Sequence, residues 1–240
     1  MSLLELRNVG KADLCGSRRI EILRDVSLGI DAGELVTVWG RRRSGRSTLL
    51  AVAAGIDSPD TGAVLFEGKD LSARGGSVLG DGIGYCRQGA GVASGRRVID
   101  SVRAGLLARG VAVPVAYSRA HEALRRVGAE GCSQLALGDL DAAEAVRVSI
   151  ACVLVLGPRV LVIDEPTKGV DLLERDEIVL LLRSLANEGI AVLVSDGDGS
   201  GLSDADRALT LAEGELRGKR TPEKGGAVLP LKRPGKSTAA

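Results

Sequence analysis

Apolar residues along this chain fall into short aliphatic runs separated by turns rich in glycine, serine and aspartate. Runs at residues 3–9 and 20–28 read as strands, and a turn at Asp31-Ala32-Gly33-Glu34 leads into a third at 35–39. A glycine-bearing loop at 40–45 opens a segment of helical composition at 47–54. A second turn at 57–62 precedes a strand at 63–67, and the Gly- and Ser-rich stretch 71–95 is interrupted by Ile83-Gly84-Tyr85-Cys86. In the middle of the chain the period becomes helical. Val98, Ile99, Val102, Leu106 and Leu107 share one face, as do Ala120, Leu124 and Val127. A helix at 142–155 runs through Gly157-Pro158 into a wholly aliphatic strand at 160–163. A helix at 173–185 carries Ile178, Leu181, Leu182 and Leu185 on one side, and a last strand at 190–195 follows the helix stop Asn187-Glu188-Gly189.

Strands alternating with helices imply parallel βαβ units, whose ligands sit beyond the carboxyl ends of the strands. The expected class is α/β, with a mostly parallel core sheet flanked by helices. Composition agrees: of 240 residues 45% are apolar but only 2% aromatic, so Val, Leu, Ile and Ala must build the core. Strands buried on both faces need that composition. The length suits one generous domain or two small ones.

The net charge is +1, and residues 218–240 hold six Lys or Arg against one Glu, so the basic excess lies in the tail. With no basic field over the body, no nucleic-acid partner is expected. The tail, with three prolines and four glycines, is expected to be disordered. Cys15, Cys86, Cys132 and Cys152 form no CxxC pair, and His121 is the only histidine, so scattered reduced thiols are expected. Glu5 and the lack of a charged leader before an apolar segment predict no secretion signal. The most apolar stretch, 148–163, is broken by Gly157-Pro158-Arg159, whereas a membrane helix needs roughly 20 apolar residues. Any membrane transport would need another chain.

After the strand ending in Trp39 the sequence reads Gly40-Arg41-Arg42-Arg43-Ser44-Gly45-Arg46-Ser47-Thr48. This is close to GxxxxGK[ST] in its strand–loop–helix setting, where backbone N–H groups cradle phosphate and the Ser47 hydroxyl would meet Mg²⁺. Arg46 stands where the pattern has Lys, and a planar guanidinium is no substitute for a compact ammonium. An ordinary glycine turn remains open on these residues alone. The GKST at 235–238 lacks a preceding strand and a following helix and is not expected to bind phosphate. The strand at 160–163 ends in Asp164-Glu165-Pro166. A carboxylate at a buried strand tip can hold Mg²⁺ through water, and its neighbour can orient an attacking water, as phosphoryl transfer requires.

The order of phosphate loop, Gln88, helical insert, Leu140–Glu144, Asp164-Glu165 and Gly169-Val170-Asp171 resembles the ABC ATPases across residues 3–217. LRDVSL (23–28), STLLAVAAGIDSPDTG (47–62) and RVLVIDEPTKGVD (159–171) are most similar to ATP-binding subunits of the lipoprotein-release and macrolide-exporter type. The resemblance implies a P-loop NTPase of ABC type at 1–217, with an N-terminal antiparallel β part, a helical subdomain at about 89–157 and the tail 218–240. It implies ATP and Mg²⁺ as cofactors, with Ser47, Gln88 and Asp164 around the metal and Glu165 and Gln88 in catalysis. Leu140, Asp141, Ala142, Ala143 and Glu144 take the signature position, Asp171 the D-loop and Asp196 the switch. The implied partners are a transmembrane permease and a second cassette, identical or not. The chain would then be cytoplasmic, held on the inner face of the cell membrane through the permease.

The same comparison exposes departures. Arg46 replaces the lysine, and Arg43 stands where the family has glycine, at a cost if φ is positive there. Asp141 presents a carboxylate where the signature grips phosphate, and Ala142 and Ala143 add bulk. Asp196 stands for the switch histidine, and no aromatic near 11–15 is available to stack on adenine. ABC dimers build each site from one subunit's phosphate loop and the other's signature, so homodimer and heterodimer alike should turn over slowly. Two functions follow: an ATP-hydrolysing transport subunit, or an impaired regulatory or structural one.

Overall fold

A computed structural model describes residues 2–16, 18–71, 82–87, 95–197 and 204–220. The long strands β1 (Leu4–Cys15) and β2 (Arg18–Ile30) form an antiparallel pair. With β4 (Thr61–Phe66) and the short β5 (Lys69–Asp70) they make an antiparallel sheet in the order β2-β1-β4-β5. Gly62 lies in β4 where its pairing with β1 shifts register between Arg7 and Gly10: φ is 78°, and any Cβ would collide with the Arg7 and Asn8 carbonyls.

The second sheet has six strands in the order β10-β9-β3-β8-β7-β6. Here β3 is Leu35–Trp39, β6 Ile83–Cys86, β7 Val160–Ile163, β8 Ala191–Asp196, β9 Arg207–Ala212 and β10 Glu215–Arg220. All pair in parallel except β10, antiparallel at the edge. Alternate residues divide the sheet between two cores, because successive side chains point to opposite faces. Leu35, Leu161, Ile163, Val192 and Val194 join one, while Val36, Val38, Val160, Val162 and Leu193 join the other. This explains why these strands read as unbroken aliphatic runs.

Helix α1 (Arg46–Ala53) and the antiparallel sheet cover the second face through Leu49, Leu50 and Val52. The first face is covered by α5 (Leu172–Asn187), through Ile178, Leu182 and Leu185, and by a group of three helices. These are α2 (Val98–Ala108), α3 (Val113–Arg126) and α4 (Ala142–Leu154), mutually packed through Val102, Leu124 and Ile150. Gly84 on β6 lets α4 come close, since a Cβ there would strike Val153.

The β9–β10 hairpin departs from expectation. Its connection is Glu213-Gly214, both at positive φ (53° and 81°), the backbone of a tight primed turn. Strand β10 continues to Arg220, into the stretch expected to be unstructured, because β9 supplies a ladder for it as far as Arg207↔Arg220. Residues 221–240 lie outside the described residues. Cys86, Cys132 and Cys152 are free thiols. Burial pushes Cys86 up to about 12 and Cys152 to about 11, so both stay protonated and unreactive at neutral pH.

Two glycines separate strain from collision. Gly68 also has positive φ (74°) but open space around it. In urea unfolding, Gly68→Ala should cost about 1 kcal/mol and Gly62→Ala well over about 2 kcal/mol.

Candidate functional site

Strands β3, β7 and β8 are in register, with Trp39 beside Asp196 and Ile163 beside Val194, so their carboxyl ends stop together. The loop leaving β3 turns back at once, with the Ser44 N–H donating to the Arg41 carbonyl at 3.0 Å. Gly40 has no room for a Cβ, which would strike Ser44 Oγ. Gly45, at φ 98°, caps α1, and a Cβ there would lie 2.8 Å from Ile22 Cγ2. Arg43 has φ 67°, so the left-handed backbone falls on a residue with a Cβ. Arg41, Arg42, Arg43 and Ser47 at this loop and the start of α1 are exposed, and Thr48 is half-buried. Ser44 Oγ is buried and has no hydrogen-bond partner among the described residues.

Arg46 behaves differently from its neighbours. Its side chain is 8% exposed and turns inward, where Nη2 lies 2.5 Å from Glu165 Oε1 and Nη1 donates to the Asp196 carbonyl. Glu165 follows the tip of β7 at φ 47°, an uncommon conformation for its type. Its Oε2 is 2.9 Å from Lys168 Nζ. Burial pushes the Glu165 carboxyl up, but the Lys168 hydrogen bond and the charges of Arg46 and Lys168 outweigh it, leaving it below the usual glutamate value.

Asp164 is buried and accepts from Ser195 Oγ–H at 2.5 Å, while Ser195 Oγ accepts the Glu165 N–H at 2.9 Å. One hydroxyl on β8 thereby fixes both acids. Neither Ser195 nor Lys168 stands out as a site residue in the sequence; the signal was present only in the register that sets Ser195 beside the end of β7. Asp196 is the buried last residue of β8, and its carbonyl faces Arg46. Gln88 lies outside the described residues.

The segment Leu140–Glu144 lies across an open cleft of about 700 Å³ from the acids, with Leu140 and Ala142 facing Tyr85, Asp164 and Glu165. Asp141 is the N-cap of α4: it accepts the Glu144 N–H at 2.8 Å, and Glu144 Oε2 accepts the Asp141 N–H at 3.0 Å. The capping box thus satisfies two backbone N–H groups, those of Asp141 and Glu144, with carboxylates. Asp171 likewise caps α5, accepting the Leu173 and Glu174 N–H groups at 3.0 Å each. The Glu174 amide, first among these donors, holds the Asp171 carboxyl below its ordinary value.

The sequence model described as "ABC transporter" matches residues 23–168. The chain belongs to the ABC transporter family. It is 35% identical over 221 residues to the lipoprotein-releasing system ATP-binding protein LolD of Myxococcus xanthus, covering 90% of this chain and 99% of that protein. A putative ABC transporter ATP-binding protein of Onion yellows phytoplasma is 30% identical over 92% of this chain, which spans only 38% of that longer relative. Among solved structures, the dimeric bacterial ABC transporter cassette MJ0796 superposes with a TM-score of 0.82 at 26% identity, over 91% of this chain and 98% of that one. The fold is that of an ABC cassette, a P-loop NTPase with its antiparallel sheet and its helical group.

Within this ABC cassette, the depressed Glu165 carboxyl makes stability depend on pH. The Arg46–Glu165 contact contributes in full above the ordinary glutamate value and fades as pH falls through the lowered folded one. Glu165→Gln should therefore unfold at lower urea than the parent at about pH 7, by about 1–3 kcal/mol, with the gap narrowing as pH falls below the ordinary glutamate value.

Proposed function

We propose that the chain is the ATP-binding subunit of an ABC transporter and that its own site binds nucleotide but turns it over slowly. Among the described residues no helix is long and apolar enough to cross a membrane, so the spanning part is supplied elsewhere, by a permease. A second cassette completes the assembly, and contact with the permease holds the chain on the inner face of the membrane. LolD and the dimeric MJ0796 cassette support this reading, and the identity to LolD favours a transporter of that type.

The residues present fit a bound triphosphate and its cation. Gly40 and Gly45 leave a cradle that a Cβ would fill, and Ser44 Oγ is a buried hydroxyl in want of a partner. Ser47 and Asp164 offer hard oxygen ligands of the kind Mg²⁺ takes. The cation would neutralise charge on the phosphates. Gln88 is assigned beside it on sequence resemblance. Asp171 remains at the D-loop contact and Asp196 at the switch position.

Slow turnover rests on one observation: before nucleotide binds, Glu165, the residue assigned to orient water, has both carboxylate oxygens engaged, by Arg46 and by Lys168, so it meets water only after the Arg46 contact is released. A general base must reach the proton that it takes. The capping box at Asp141 supports a second reading, a regulatory subunit that binds without hydrolysis, because it places two carboxylates at the helix start, where they would repel a phosphate.

Steady-state ATPase with the permease, together with calorimetry of ATP binding, tests both. We expect ATP binding, and weak hydrolysis that Glu165→Gln abolishes. Hydrolysis that survives Glu165→Gln would remove that residue from the chemistry. No ATP affinity at millimolar concentration would overturn the proposed site.

A further inference from the structure

Arg46 and Glu165 meet beside a position that carries no side chain. A Cβ built on Gly197, directly after β8, would lie 2.9 Å from Glu165 Oε1 and 3.3 and 3.5 Å from Arg46 Nη1 and Nη2. Unlike Gly45 and Gly62, Gly197 is not held at positive φ, so its backbone does not require glycine. What the glycine provides is room.

We infer that Gly197 is a positioning residue for a latch, in which Arg46 folds onto Glu165 and the Asp196 carbonyl and must be withdrawn before nucleotide phosphate can occupy the loop. The inference rests on the nucleotide site proposed above. Arg46 is 8% exposed and Glu165 14%, so water does little to weaken their attraction. A guanidinium has no acceptor and a fixed fork of donors. With Nη1 on a main-chain carbonyl and Nη2 on a carboxylate, it spans the ends of β7 and β8 as a shorter, single-headed ammonium could not. Competition follows: the cation at the phosphate-loop position is bound to an internal anion, and apparent ATP affinity is lowered by the fraction of molecules that are latched.

The geometry also says how to open the latch selectively. The atom nearest the added Cβ is the far end of a flexible side chain, so an alanine at 197 shifts the Glu165 carboxylate and little else. The hydrogen bond that it disturbs is only 2.5 Å long. Gly40, Gly45 and Ser44, which form the cradle, are untouched.

The test is the dissociation constant for ATP, measured by calorimetry on the full chain for the parent, Gly197→Ala, Arg46→Lys and the double variant. Gly197→Ala should tighten ATP binding by about 3–10-fold, and by less than about twofold in the Arg46→Lys background. Glu165→Gln weakens the pair from its other side without adding an atom and should tighten binding in the same direction. An unchanged dissociation constant in both Gly197→Ala and Glu165→Gln would overturn the latch and leave the nucleotide site standing. Equal tightening by Gly197→Ala in the parent and in the Arg46→Lys variant would overturn it too, since the glycine would then act without Arg46. ATP binding by none of the variants would instead overturn the nucleotide site, and the latch with it.

Discussion

Three parallel strands ending side by side are the constraint from which the site follows. β3, β7 and β8 are locked in register and buried on both faces, so the residues that follow them cannot help meeting. The glycine-bearing loop leaves β3, the acid pair follows β7, and Ser195 and Asp196 end β8 with Gly197 directly after. The aliphatic alternation that splits the sheet between two cores thus also sets a hydroxyl 2.5 Å from Asp164 and a carbonyl against Arg46. Packing and chemistry share one register, and slipping any of the three strands by a residue would exchange the cores and dissolve the site.

Upon that frame, electrostatics decides how the site rests. Arg46 carries its positive charge at the start of α1 on a planar, forked head group. A lysine there would present a mobile point charge; the guanidinium finds a carboxylate and a carbonyl within reach and is buried between them. Glu165 is tied by Arg46 on one oxygen and Lys168 on the other. At the cleft's far side, Asp141 and Glu144 close a capping box that sets two carboxylates at the start of α4. Both ends of the site therefore satisfy part of their own charge and hydrogen bonding internally.

Much of the architecture was legible because it is written in long, consistent patterns. The strands at 35–39 and 160–163 and the helix beginning near residue 142 follow directly from aliphatic runs and from the stops around them. The β9–β10 hairpin was not, since Glu213-Gly214 puts glutamate where a primed turn ordinarily shows Asn or Asp. Of the site, the loop and the acid pair were visible as motifs. Ser195, Lys168 and Gly197 were not, because their importance lies in contacts between elements remote in sequence. The Asp141–Glu144 capping box has its spacing in the sequence, an N-cap carboxylate with Glu three residues on, superimposed on the altered signature. Gln88 and the basic end after Arg220 lie outside the described residues.

The central claim is that Arg46 serves two anions in turn, Glu165 when the loop is empty and phosphate when it is filled. A high-resolution crystal structure of the chain with ATP and Mg²⁺ tests this most directly. The account predicts the Arg46 guanidinium withdrawn from Glu165 and the Asp196 carbonyl and hydrogen-bonded to phosphate oxygen. Nucleotide seated on the loop with Arg46 still closed on Glu165 would contradict it.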